Sequence, residues 1–110
     1  MMNQLDNQRM RACDECASAC LQCAAACLRE DDPKGMAECI ALDMECADLC
    51  RLAVACMARG DRRVKDVLAL CVQACNECAD ECAKHEMAHC QTCARRCRHC
   101  ADVCAGSSTQ

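Results

Sequence analysis

At 110 residues the chain has room for one domain and one core, 1–110. It carries 18 Cys and 20 Ala but only 14 Leu, Ile and Val together and no aromatic residue, which excludes an ordinary aliphatic core. A formal charge of −4 is too small for a disordered polyelectrolyte, and mild acidity without aromatics argues against a nucleic-acid partner.

The first stretch, MMNQLDNQRM, lacks the apolar segment of a secretory signal. The longest apolar run, Leu52 to Ala58, is too short to cross a bilayer. The expectation is a cytoplasmic protein that does not engage a membrane. In a reducing compartment many cysteines point to metal or redox chemistry before disulfides.

Ala, Leu, Met, Glu, Gln and Arg dominate the rest and favour helix. The first predicted helix, 5–30, places Cys13, Cys16, Cys20, Cys23 and Cys27 at steps of 3, 4, 3 and 4, a heptad seam with sulfur at every a and d position. Ala17, Ala19, Ala24 and Ala26 flank the seam and allow close helix approach. Leu21 and Leu28 fall at b positions, facing away, and are candidate contacts between chains. Asp31-Asp32-Pro33-Lys34-Gly35 ends this segment.

The second helix, 35–59, carries Cys39, Cys46, Cys50 and Cys56, with Leu42 and Ala53 expected to fill the gaps. Gly60-Asp61 reads as a helix stop followed by an N-cap. The third helix, 61–85, presents Cys71, Cys75, Cys78 and Cys82, continued towards its start by Leu68 and Val64. Cys82 and Cys90 lie eight residues apart, which would turn the stripe about 80° on one continuous helix. A tight turn is therefore expected at His85 to Met87, although no Gly or Pro marks it; one long helix from 61 to 104 is the alternative. The fourth helix, 88–105, repeats the first in Cys90, Cys93, Cys97, Cys100 and Cys104. Residues from Gly106 onward are expected to fray. Short connections imply an all-α, antiparallel four-helix bundle with a cysteine-lined core.

Such sulfur density exceeds what small, adaptable core residues require. Disulfides within a helix are excluded, because i and i+4 Cβ atoms stand roughly 5–6 Å apart and a disulfide needs about 3.8 Å. Seven Cys-x₃-Cys pairs are instead spaced for a bridging ion, since a near-linear S–M–S unit spans about 4.6 Å. An all-thiolate, water-poor site selects soft ions, Cu(I) foremost, and bridging thiolates let one stripe hold many ions. Zinc in separate Cys₄ sets, as in a metallothionein-like protein, is the competing metal. A thiol redox buffer or peroxidase is the competing activity, but it needs one exposed, low-pKa cysteine that nothing singles out. No catalytic constellation is expected.

Antiparallel packing puts the 31–35 loop and the 85–87 turn at one end. Met36, Met44, His85, Met87 and His89 gather there as candidate soft ligands for Cu(I), while Val54, Met57, Val64, Val67 and Leu68 form an apolar plug at the other. His99 reads as a surface residue.

These repeats, together with His89-Cys90-Gln91-x-Cys93-Ala94-x₂-Cys97-x₂-Cys100-Ala101-x₂-Cys104, resemble the bacterial copper storage proteins, in the branch without an export signal. The resemblance covers nearly the whole chain. It implies cytosolic Cu(I) storage, homotetramers, and copper uptake at an end bearing His and Met. A donor or acceptor protein or a chelator is the expected partner, since weak ligands at a mouth can receive copper and pass it to the thiolates. The second helix departs from the dense repeat at the six-residue step from Cys50 to Cys56.

Overall fold

The computed structural model describes residues 4–106; of the expected frayed tail, 107–110 lie outside them and Gly106 closes the last helix. Four helices run α1 Gln4–Cys27, α2 Ala37–Arg59, α3 Val64–Ala83 and α4 Ala88–Gly106, with a 3₁₀ turn at Pro33–Met36 before α2. α1 and α3 each lie against both α2 and α4, giving an antiparallel bundle 47 Å long and 22 by 17 Å across. No described helix is long and apolar enough to cross a membrane.

The helix ends differ from expectation for local reasons. α1 stops at Cys27 and its chain tightens into i→i+3 turns, Arg29 N to Ala26 O and Glu30 N to Cys27 O. Asp32 lies outside the helical region at φ −124° and ψ 78°, as a residue before proline is pushed to do. α2 ends at Gly60, whose φ of 66° is the left-handed conformation glycine permits. Asp61 N then reaches Cys56 O and Gly60 N reaches Met57 O, the paired bonds of a Schellman motif. Asp61 does not cap α3 as expected. Its carboxylate accepts the Arg63 N–H at 2.9 Å and the Arg59 guanidinium at 3.0 Å inside the turn, so the helix begins at Val64.

The break between Cys82 and Cys90 exists, and a side chain stands in for the missing Gly or Pro. The Gln91 amide donates to the carbonyls of Ala83 at 3.3 Å and His85 at 2.6 Å, tying down the loose end of α3 from the first turn of α4.

Candidate metal centre

All 18 cysteines are free thiols and all are buried. Seventeen line a column that runs the length of the bundle, each sulfur within 4.8 Å of a neighbour. It starts near Gly60 with Cys104–Cys13 at 3.7 Å and Cys13–Cys100 at 3.7 Å. It continues through Cys50–Cys71 at 3.6 Å, Cys46–Cys75 at 3.6 Å, Cys16–Cys97 at 3.6 Å and Cys20–Cys93 at 3.8 Å. Towards the other end come Cys78–Cys82 at 3.9 Å, Cys39–Cys82 at 3.5 Å, Cys27–Cys39 at 3.9 Å and Cys23–Cys90 at 3.9 Å. Three sulfurs around one ion at 2.3 Å would stand roughly 4.0 Å apart, so the thiols already sit near coordination distance.

The sulfurs also group in fours whose atoms all lie within 4.8 Å of one another, and the groups share members. Cys50 belongs both with Cys13, Cys71 and Cys100 and with Cys16, Cys46 and Cys75; Cys20 and Cys97 likewise join two groups. Separate tetrahedral sites would divide the ligands among themselves. Shared ligands suit bridging thiolates and a multinuclear array. Burial pushes the Cys90 thiol up to about 11, and burial raises Cys27 as well, so protons occupy these thiols until an ion replaces them.

α2 corrects the sequence reading. The inward register there is Cys39, Asp43, Cys46, Cys50, Ala53 and Met57, with Asp43 in place of the expected Leu42. Asp43 is fully buried while Leu42 is half-buried at the margin. The carboxylate survives in the core because sulfur surrounds it. Cys78, Cys93 and Cys82 donate to Oδ1 at 3.1, 3.3 and 3.5 Å, and Cys39 to Oδ2 at 3.8 Å. Burial, then the nearby Cys93 charge, raises the Asp43 carboxyl to about 8. Sequence hydropathy pointed to Leu42; the strict 3-4 step from Cys39 pointed to Asp43. The same register turns Met44 outward, where it is 46% exposed and away from the thiols. It also moves Cys56 off the seam, where its sulfur meets the Arg59 guanidinium at 3.7 Å.

At the end formed by the 31–35 loop and the 84–87 turn, hereafter the mouth, the other candidates separate. His89 Nδ1 lies 3.5 Å from both Cys23 Sγ and Cys90 Sγ. His85 instead bonds Glu81 at 2.9 Å on the bundle's flank. Met36 is buried in the core cluster and Met87 packs against it. His99 is exposed. At the opposite end Met57, Val67 and Leu68 are buried and Val54 and Val64 partly so, but a cavity of about 780 Å³ opens beside them, reaching Cys104.

A helical bundle whose axis is a continuous file of buried cysteine sulfurs is a metal-thiolate container. The sequence profile of the family described as copper storage protein matches residues 2–109, and the chain belongs to that family. It is 42% identical over 90 residues to the uncharacterized cysteine-rich protein YhjQ of Bacillus subtilis, covering 82% of this chain and 83% of that one. Its fold is similar to the Cu(I)-bound copper storage protein BsCsp3, with TM-score 0.90, 41% identity and coverage of 94% and 97%. It is also similar to a cytosolic copper storage protein from Streptomyces lividans holding five coppers, with TM-score 0.93, 34% identity and coverage of 97% and 94%.

Proposed function

We propose that this protein stores many Cu(I) ions in the cytosol, with copper as its cargo and no catalytic role. The observation that carries the reading is the unbroken thiol column from Cys104 to Cys27 with sulfurs shared between neighbouring groups. Each incoming ion displaces thiol protons and takes two or three thiolates, and each thiolate bridges two ions. The 17 contiguous thiols are the ligands. Cys56, off the column, contributes least. His89 is the imidazole ligand at the mouth, with Met36 and Met87 as thioether neighbours; Met44 and His85 serve no ligand role from where they stand.

Thioether and neutral imidazole hold Cu(I) more weakly than thiolate, so copper received at the mouth moves inward. A redox buffer is disfavoured because sixteen of the 18 thiols are fully covered. We also assign a homotetrameric assembly, to which the exposed Leu28, Leu52 and Leu70 offer apolar contacts. A donor or acceptor protein, or a chelator, exchanges copper with it.

Offering zinc and Cu(I) together to the reduced protein tests the reading. Copper should displace zinc from the chain almost completely. Retention of about four zinc ions in Cys₄ sets would overturn it.

A further inference from the structure

The end expected to be a closed apolar plug is open on one side. Beside Gly60 a cavity of about 780 Å³ is walled by Val64 and Leu68 of α3 and floored by Cys104 of α4. Arg62 and Lys65 stand on its wall beside Arg9, and no carboxylate among the described residues lines it. Arg62 and Lys65 bring two positive charges to it on a chain whose net charge is −4. Cys104 heads the thiol column, 3.7 Å from Cys13, and it and Cys56 are the two cysteines with any measurable exposure. The mouth-end thiols Cys23, Cys27, Cys39 and Cys90 are fully covered.

We propose that this cavity is a second port, at which an anionic low-molecular-weight thiol docks and withdraws copper from Cys104. The inference rests on the copper-storage reading. The size suits a tripeptide-sized ligand: its carboxylates meet Arg62 and Lys65, its apolar backbone lies on Val64 and Leu68, and its sulfur faces the Cys104 sulfur. The step is a ligand exchange. The incoming sulfur forms a bond to copper, the copper bond to Cys104 Sγ breaks, and the incoming thiol's proton passes to Cys104. Copper stays Cu(I), and nothing is oxidised or reduced. Cys13 and Cys100 then resupply Cys104 from within the column. Uptake at the mouth and release at the far end make the storage column directional.

The test uses the full chain loaded with copper, with glutathione and its diethyl ester as matched probes that differ in carboxylate charge. Copper released is counted after gel filtration. Glutathione should remove copper about tenfold faster than the ester, as electrostatic capture allows. Added salt should reduce that advantage. In Arg62→Gln/Lys65→Gln the two rates should converge while the copper count at loading stays unchanged. Equal rates in the unmodified protein, no release to glutathione, or an advantage that survives both salt and the double substitution would overturn the port. A low copper count before any thiol is added would instead overturn the storage reading itself. Those two failures are distinguishable. Should the double variant fold poorly, the salt dependence of the unmodified protein decides alone.

Discussion

His89 holds Cys23 and Glu30 together: its Nδ1 is 3.5 Å from the Cys23 sulfur, and its Nε2 is 2.8 Å from the Glu30 carboxylate. The carboxylate fixes the ring so that Nδ1 faces the column, the arrangement by which outer groups orient metal-binding imidazoles. His85, four residues earlier, is tied to Glu81 and points away. His89→Ala should therefore slow copper loading, and Glu30→Gln should slow it less, within the 10–100-fold range such outer partners command. His85→Ala should leave loading close to unchanged. Stopped-flow loading from a Cu(I) donor separates them, and a larger effect at His85 would contradict the assignment.

Asp43 makes the copper-free protein sensitive to pH. Its folded carboxyl is raised to about 8 from an ordinary 3.8, so the folded state holds a proton that the unfolded chain releases first. The stabilising contribution is complete below 3.8 and is lost as pH rises through about 8. Asp43→Asn keeps the shape and removes the titration. Thermal melts of the reduced, copper-free proteins should show the variant gaining on the parent as pH goes from 5 to 8, and parallel curves would contradict this.

Gln91 carries the turn between α3 and α4. Removing its amide leaves the carbonyls of Ala83 and His85 to solvent, at about 1 kcal/mol for exchanged hydrogen bonds. Gln91→Ala should lower the melting temperature by several degrees without changing the number of ions bound. A loss of capacity would mean that the turn also shapes the ligand set.

Leu28 tests assembly. It is 61% exposed just past α1, so Leu28→Glu should cost little in folding. Leu21, also expected to face outward, is half-buried against the core and is a poorer probe. Sedimentation of Leu28→Glu should show a weakened oligomer at unchanged copper capacity; an unaltered assembly removes Leu28 from the interface.

The 3-4 steps of cysteine in α1, α3 and α4 were legible as inward seams because hydropathy and period agreed there. In α2 they disagreed, and period won. Asp43 kept the register that Leu42 would have broken, since four thiols supply the partners a buried carboxylate needs. Cys56 and Met44 lost their expected places for the same one-residue reason. The His85 to Met87 turn was legible only as a phase shift between Cys82 and Cys90, because its anchor, Gln91, lies in the next helix. The separation of His85 from His89 follows from that turn: four residues apart across a break, they do not share a helix face. The far-end cavity had no sequence signal, since hydropathy cannot distinguish a filled apolar layer from one with a gap in it.

Saturating the reduced protein with Cu(I) under a competing chelator, and counting ions per chain, tests the central claim most directly. Thiolates bridging along one column should take up about one ion per column cysteine, approaching 17. Saturation at about four ions would mean isolated tetrahedral Cys₄ sites and would contradict the continuous array.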